Sequence, residues 1–176
     1  MPSTWNIDPV HSHVGFGVRH LMVSKVRGRF EQWGGAFGFD EDDPSKTKLD
    51  ITIEAASIET KDAQRDTHLR SADFLDAATH PQLHFVSTEV ETVDDQNFNM
   101  KGNLTIRGVT HPVTLKVEYA GRSKDPWGGE RAGFSATTSI SRKEWGLVWN
   151  AALETGGVVV GDKVDLEIEV ELIRAK

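Results

Sequence analysis

Two histidines near the amino terminus, His11 and His13, are the first side chains whose type and spacing could do chemistry. Residues two apart on a strand share a face, so both imidazoles could reach one metal ion. A strand pattern begins here, and two solvated histidines at its start are the commoner arrangement. None of the seven histidines forms an HExxH motif. We therefore predict no metal site and no cofactor.

Motifs for covalent or phosphate chemistry are absent from the sequence. It has no GxSxG nucleophile elbow, no Walker-type phosphate loop and no complete GxGxxG turn. With no cysteine, disulfides and thiolate catalysis are excluded. Carboxylate pairs such as Glu167 and Glu169 fall on the polar face of a strand pattern, as is typical of a solvated surface. We predict no catalytic residue and a protein that is not an enzyme.

A polar pair ends an otherwise apolar strand pattern. Val14, Phe16 and Val18 share one face, which His20 continues, while Arg19 lies on the other face. A polar tip at the end of an apolar strand can meet the head group of a ligand. The alternative is a side chain hydrogen-bonded at the rim of the fold. We name Arg19 and His20 as head-group candidates.

The strands that would position these residues follow from a two-residue alternation of apolar and polar side chains. In the run 164–172, aliphatic side chains alternate with acids, so one face is apolar and the other is wet. A helical segment is predicted over about 62–78, capped by Thr60 or Asp62, with Ser71 capping a second short turn. The predicted strands are 12–20, 25–40, 49–58, 82–90, 98–106, 113–121, 133–142 and 163–173.

With so little helix, a sheet of two-faced strands must cover its own apolar face. Short turns between consecutive strands predict antiparallel neighbours. We therefore predict an all-β fold, an antiparallel up-and-down barrel of about eight strands with one short helical segment. The length of 176 residues predicts a single domain over residues 1–176.

Composition narrows the possible partners. The formal net charge of −7 disfavours nucleic acid, whose phosphates an acidic protein repels. No apolar run approaches the roughly 20 residues of a membrane span, so stable membrane insertion is not expected. The amino terminus lacks a basic region followed by an apolar stretch, so the expected location is cytoplasmic.

Large apolar side chains occur in nearly every predicted strand. For any one of them, a place in a dry core is the simplest interpretation. Collectively they could line a tunnel for a long hydrocarbon chain. The predicted lining residues are Phe16, Val18, Phe30, Ile51, Phe74, Phe85, Leu104, Leu115, Phe134 and Trp145.

Short motifs spread along the chain carry a family resemblance. They are the segments 68–75 (HLRSADFL), 80–81 (HP), 102–110 (GNLTIRGVT) and 161–162 (GD). They follow an amino-terminal series of Asp8, His11, Ser12, Val14, Phe16, Val18, His20, Ser24, Val26, Gly28 and Phe30. In this order they resemble the YceI family of polyisoprenoid-binding-like proteins, nearly end to end.

The resemblance implies a lipocalin-like barrel that holds a long isoprenoid chain, such as a polyprenyl or quinone-type lipid. The expected function is non-enzymatic storage or transport of a long-chain isoprenoid or a similar amphiphilic lipid. Many relatives look periplasmic and carry a signal peptide, whereas we expect none from the amino-terminal residues here. A homodimer is possible, because long exposed strands often pair.

Two alternatives stay open. One is an enzyme acting on a small apolar ligand in the cavity, with His11, His20 or His84 as the acid–base group. The other is a structural or stress-related barrel that binds no ligand. Its side chains would fill the interior and leave no cavity of pocket size, which is usually ~300 Å3 or more.

Overall fold

Eleven antiparallel strands form one curled sheet in the computed structural model, which describes residues 4–21, 23–40, 42–150 and 160–175. The all-β prediction is confirmed. The strands are β1 (Trp5–Ile7), β2 (His13–His20), β3 (Ser24–Phe30), β4 (Trp33–Gly38), β5 (Lys48–Glu54), β6 (Ile58–Glu59), β7 (Gln82–Thr92), β8 (Asn97–Ile106), β9 (Val109–Lys124), β10 (Glu130–Ser141) and β11 (Val160–Arg174). The helix α1 spans Ala63–Arg70.

The order of the strands curls the sheet into a barrel-like shape. Neighbouring strands run β4, β5, β7, β8, β9, β10, β11, β2, β3 and β6, and β1 pairs with β11 beyond the end of β2. Only two residues separate β3 from β4, and a single 3-10 turn separates β5 from β6. Phe30 pairs with Ile58 in β6, and Trp33 pairs with Ile53 in β5. The continuous segment 24–38 therefore pairs with the continuous segment 48–59, which brings the two edges of the sheet together.

The predicted number of about eight strands is wrong, because two predicted strands are broken and one was missed. The predicted strand 25–40 divides into β3 and β4 at Glu31 and Gln32. The predicted strand 49–58 divides into β5 and β6 at the 3-10 turn Ala55–Ser57. The short strand β1 lies before the first predicted strand. Apolar side chains shift from even positions in β3 to odd positions in β4, and a bulge within one strand gives the same shift, so the pattern does not reveal where pairing passes from one neighbour to the next.

The tight turn between β8 and β9 shows how turn chemistry fixes the register. Arg107 and Gly108 both have positive φ, 51° and 74°, as a type I′ turn requires. Ile106 therefore pairs directly with Val109. A Cβ on Gly108 would lie 2.9 Å from Cε1 of His80, so this glycine also lets the His80 segment pack closely.

The helix is shorter than the predicted segment 62–78. The Asp62 side chain accepts hydrogen bonds from the backbone N–H groups of Gln64 and Arg65, so Asp62 is the cap. Thr60 instead donates its N–H and its hydroxyl to the buried Asp66 carboxylate. After Arg70 the chain continues in turns. Among the described residues, no helix is both long and apolar enough to cross a membrane.

An aromatic cluster fills the end of the sheet where β1 lies; we call this the aromatic end. Trp5 meets Phe39 edge-on with ring centroids 5.3 Å apart, and Phe39 meets Phe134 edge-on at 5.1 Å. Tyr119 stacks on Phe134 at 4.9 Å. Such contacts combine large buried areas with specific ring geometry. This end is therefore closed by well-packed side chains.

A buried arginine organises the opposite end, which we call the helical end because α1 lies there. Arg142 is only 3% exposed. Its guanidinium donates to the backbone carbonyl oxygens of Leu147, Trp149, Val160 and Gly161. Burial lowers the pKa of this guanidinium, and the charge of Asp162 raises it in part. One side chain thus fixes the segment after β10 to the start of β11.

Loss of the Arg142 guanidinium should strongly destabilise the fold. In Arg142→Met, the carbonyls of Leu147, Trp149 and Gly161 lose the Arg142 donor, Val160 keeps only the donor from the Asn150 amide, and most of the apolar stem remains. We expect the free energy of unfolding to fall by at least about 3 kcal/mol, measured by urea denaturation. The matched control is Arg122→Met, at an exposed arginine of β9, where a change within about 0.5 kcal/mol is expected. Equal effects at both positions would contradict the role given to Arg142.

An ion pair on the outer face should make stability depend on pH in the acid range. Lys25 Nζ lies 2.6 Å from Asp165 Oδ2, and the Ser139 hydroxyl donates to Oδ1 of the same carboxylate at 2.7 Å. The hydrogen bond from Lys25 is the largest cause that lowers the pKa of Asp165 to about 2. A lowered folded-state pKa stabilises the protein above the unfolded value of 3.8, and this contribution is lost as pH falls through about 2.

We therefore expect Asp165→Asn to be less stable than the parent at neutral pH, with a gap that closes as pH falls from about 4 to about 2. Both side chains of the pair are 38% exposed, so solvent screening limits the gap to below about 1 kcal/mol. Thermal unfolding at stepped pH measures it. Glu167→Gln, on the same outer face of β11, is the control without a described ion pair. A gap that stays constant with pH would contradict the assignment.

Candidate ligand-binding cavity

The interior of the sheet holds an apolar cavity of about 150 Å3, here called the first cavity. Every strand except β6 contributes at least one lining side chain. Among the described lining residues, Thr47 alone carries a hydroxyl or a charge, and its hydroxyl donates to the Pro44 carbonyl at 2.7 Å. A ligand in this cavity would therefore meet hydrocarbon and aromatic surface with almost no hydrogen-bonding partner.

A second cavity of about 160 Å3 lies at the helical end. Apolar side chains from β2, β3 and β11 form one side, and Leu69 of α1 and Phe74 form part of the other. Its lining also includes Arg19, His20, Arg65 and Arg142. The second cavity is thus apolar within and is bordered by cationic groups.

The two cavities adjoin inside the sheet. They share four lining residues, Phe30, Leu83, Ile106 and Leu166. Each cavity alone is smaller than the ~300 Å3 usual for a small-molecule pocket. They lie in series from the middle of the sheet toward the helical end, with the four shared side chains between them. A thin flexible chain matches that shape better than a ring system.

The structure distributes the predicted lining residues over both cavities. Ile51, Phe85, Leu104, Leu115 and Phe134 line the first cavity. Phe16, Val18 and Phe74 line the second, and Phe30 lines both. Trp145 lines neither cavity, which corrects its prediction as a lining residue. It is 1% exposed, and its indole N–H donates to the Leu104 carbonyl at 3.0 Å, so it belongs to the packed core.

The two head-group candidates both lie at the second cavity. His20 is half-buried and Arg19 is exposed, and neither side chain has an ion pair or side-chain hydrogen bond within the described residues. The other two arginines there are already engaged. Arg65 donates to the hydroxyl and the carbonyl of Thr60, and Arg142 donates to four carbonyls. Arg19 and His20 are therefore the polar groups still available to a ligand.

Sequence reasoning missed the structural role of Arg142, although a signal for it was present. Along β10, Phe134, Ala136 and Ile140 share the inward parity that Arg142 continues. The same parity argument had singled out His20. Trp33 and Phe37, which line the first cavity, were also missed, because Gly34 and Gly35 obscured the alternation in β4.

A side cleft of about 530 Å3 opens between β1 and the turn after it on one side and β3 and β4 on the other. Its outer part carries polar groups, among them His13, Arg29 and Glu31. Its inner part shares Ile7, Phe30, Trp33 and Phe37 with the first cavity. We call it the β1–β4 cleft. It lies beside the aromatic end, where these four side chains separate the apolar interior from the outer surface.

The histidines do not assemble a reaction centre among the described residues. His11 Nδ1 lies 2.6 Å from Asp8 Oδ2 on the outside of the sheet, and His84 bonds to Asp50 on another part of the outer surface. Of the three acid–base candidates, only His20 lines a cavity.

A possible metal-binding group is formed by Asp8, His11 and Glu171, without His13. The Arg131 guanidinium already occupies the cation position. Its Nη1 lies 2.8 Å from Asp8 and 3.4 Å from Glu171. The hydrogen bond from His11 is the largest cause that lowers the pKa of Asp8, and the bond from Asp8 is the largest that raises the pKa of Arg131. The cluster is explained as an ion-pair network.

Comparison with known proteins places the fold and the sequence in one group. The chain is 43% identical over 166 residues to a "UPF0312 protein" of Serratia proteamaculans, covering 94% of this chain and 83% of the relative. It is 42% identical over 166 residues to "Protein YceI" of Escherichia coli, with the same coverage.

Solved structures show the same architecture. A Campylobacter jejuni YCEI protein is 33% identical, with a TM-score of 0.77 over 90% of each chain. A polyisoprenoid binding domain from Saccharophagus degradans, at 13% identity, has a TM-score of 0.73 over 98% of this chain and 99% of its own. At that identity the likeness concerns the fold alone. A family model described as the YceI-like domain matches residues 5–172, and the chain therefore belongs to the YceI-like domain family.

Proposed function

We propose that this protein binds a long-chain isoprenoid or a similarly slender amphiphilic lipid inside the sheet and acts as a store or carrier rather than as an enzyme. The observation that carries the proposal is the pair of adjoining apolar cavities, with four shared lining residues and hardly any polar lining in the first. Each buried methylene contributes roughly 0.8 kcal/mol, so a long chain can bind tightly with few polar contacts.

The narrow path supports a chain-like ligand over a compact one. Two small cavities in series favour a molecule that can thread between Phe30 and Leu83 without displacing the core. The polyisoprenoid binding domain of Saccharophagus degradans has a similar fold, which is consistent with an isoprenoid ligand here. A filled barrel without a ligand is the competing interpretation, because each cavity alone is small.

The polar end of the lipid would lie at the helical end. Arg19 and His20 border the second cavity and have no side-chain partner within the described residues. In this arrangement the chain extends from the second cavity into the first. A head group that accepts hydrogen bonds, such as a hydroxyl, carbonyl or phosphate, would match these donors.

Two further properties stay predictions. The expected cytoplasmic location would be checked by fractionation of cells that produce the untagged protein. The possible homodimer would be checked by sedimentation equilibrium. Neither affects the argument for the ligand, which depends only on the cavities.

The direct test of the proposal is organic extraction of freshly purified protein, followed by mass spectrometry of the extract. We expect a lipid in near-stoichiometric amount, because a chain buried in an apolar path dissociates slowly. An empty extract, together with no uptake of added polyprenol, would support the filled barrel. Turnover of the bound lipid that is lost in a His20→Ala variant would instead support the enzyme alternative.

Filling the first cavity should prevent lipid binding without unfolding the protein. In Leu115→Trp, the added ring volume occupies a large part of the cavity of about 150 Å3. Overpacking of this kind costs roughly 1–3 kcal/mol, which a domain of this size tolerates. We expect the amount of bound lipid to fall severalfold in the extraction assay. Lys116→Trp, the next residue of β9 and exposed, is the matched control. Equal lipid content in both variants would contradict the cavity assignment.

A further inference from the structure

We propose that the lipid enters sideways through the β1–β4 cleft, with its polar end leading toward Arg19 and His20, directly from a bilayer surface that Val10 and Trp127 contact. This inference rests on the proposed function, because it concerns the source and route of the ligand. The bilayer is the natural source for such a ligand, since a long hydrocarbon chain is almost insoluble in water.

Both ends of the sheet offer poor routes. At the aromatic end, Phe39 and Phe134 are buried and packed edge-on against each other, and Tyr119 stacks on Phe134. At the helical end, Arg142 holds the segment after β10 through four hydrogen bonds to carbonyls. Opening either end would separate well-packed rings or leave buried polar groups without partners.

The β1–β4 cleft has a smaller barrier, because the ring contact that crosses it is the edge-on packing of Trp5 against Phe39. Within the described residues, β4 pairs only with β5 and β1 pairs only with β11, so no ladder hydrogen bond crosses the cleft. The pairing of β2 with β3 ends at Gly15 and Arg29, where the cleft begins. Widening the cleft therefore breaks no strand pairing. Beneath the polar outer part lie Trp33 and Phe37, which also line the first cavity.

Two exposed apolar side chains stand near the mouth of the cleft on matched turns. Val10 is 82% exposed and Trp127 is 80% exposed. The Val10 N–H donates to the Asp8 carboxylate at 3.1 Å, and the Trp127 N–H donates to the Asp125 carboxylate at 2.9 Å. Both carboxylates bind the same guanidinium, that of Arg131, at 2.8 and 3.2 Å. We call this pair of turns the apolar tip.

The apolar tip continues into the cleft, because Pro9, which precedes Val10, is one of the cleft's lining residues. Exposed tryptophan suits the interface between lipid head groups and acyl chains, where one edge of the ring is wet and the rest is apolar. The ion pairs with Arg131 hold both turns in place before contact, so little ordering is needed on docking.

Charge around the tip specifies the kind of bilayer. Asp8, Asp125 and Glu171 surround one Arg131 and His11, which leaves an acidic balance. The chain as a whole has a formal net charge of −7. A zwitterionic surface is therefore favoured over an anionic one, which would repel the tip.

The route is tested by blocking the cleft. Gly34 lines the cleft, and a Cβ built there meets nothing within 4 Å, so Gly34→Trp can fill the opening without strain at this position. Gly38→Trp is the matched control on the same strand, at a glycine outside the cleft whose Cβ would make ordinary contacts with Lys48. Radiolabelled polyprenol in phosphatidylcholine vesicles is mixed with each protein, and transfer is followed after vesicles are removed by sedimentation.

We expect Gly34→Trp to slow transfer at least about tenfold, while Gly38→Trp transfers at the parent rate. Lipid capacity is measured separately, by refolding each protein in the presence of the same polyprenol. Unchanged transfer in Gly34→Trp would overturn the side route. If Gly34→Trp has also lost its lipid capacity, the smaller substitution Gly34→Leu is used instead. A parent-like transfer rate in Gly34→Leu would then overturn the side route. A parent protein without capacity would instead refute the proposed function.

The bilayer contact is tested in the same assay. Removing Val10 and Trp127 together, as Val10→Ser with Trp127→Ser, should slow transfer about tenfold while capacity stays unchanged, because binding scales with the apolar area that enters the interface. Val148→Ser, at an exposed valine near the helical end, is the control for Val10→Ser. Transfer should also slow when anionic phosphatidylglycerol replaces part of the phosphatidylcholine. A parent-like transfer rate in the double variant would overturn the bilayer contact. Transfer that is equally slow from detergent-solubilised polyprenol would also overturn it, because no bilayer is then present.

Discussion

The apolar face of every long strand needs to be covered, and the rest of the structure depends on that constraint. The part of the chain that the structure describes has one α-helix, of eight residues, and so offers no helical layer to cover the sheet. The sheet therefore curls until its ends meet, with Phe30 opposite Ile58 and Trp33 opposite Ile53. Eleven strands arranged around one axis leave an interior that their side chains do not completely fill. The cavities are a consequence of curling and need no separate explanation.

The two ends of the sheet are closed by different kinds of interaction. The aromatic end uses ring packing, in which Phe39 and Phe134 exclude water by area and by edge-on geometry. The helical end uses one charged side chain, Arg142, whose donors hold Leu147 and Trp149 against the start of β11. A guanidinium with several fixed donors suits that task better than an ammonium group would. The difference leaves polar groups at one end of the path and almost none in its middle.

Most of the fold could be predicted from the sequence, because strand parity is a local signal. The alternation in residues 98–106 predicted an inward face. Gly102 lies on that face and leaves room for the Phe85 ring, because a Cβ on Gly102 would lie only 2.4 Å from Cζ of Phe85. The break between β3 and β4 could not be predicted, because the alternation of side chains within a strand does not indicate which strand pairs with it. Trp145 was misplaced for a related reason. Its large apolar side chain predicted a place in the cavity wall, but its indole N–H donates to the Leu104 carbonyl within the packed core.

The missing pairing between β1 and β4 has a mechanical consequence. A ring hydrogen-bonded around its whole circumference resists widening, because any expansion stretches every ladder at once. A split ring is softer, since it opens by bending at the strands opposite the split. Stiffness should therefore vary along the axis, low beside β4 and higher where β2 pairs with β3. An interior that is narrow at rest can then adapt to hydrocarbon chains of different thickness while its strand register stays the same.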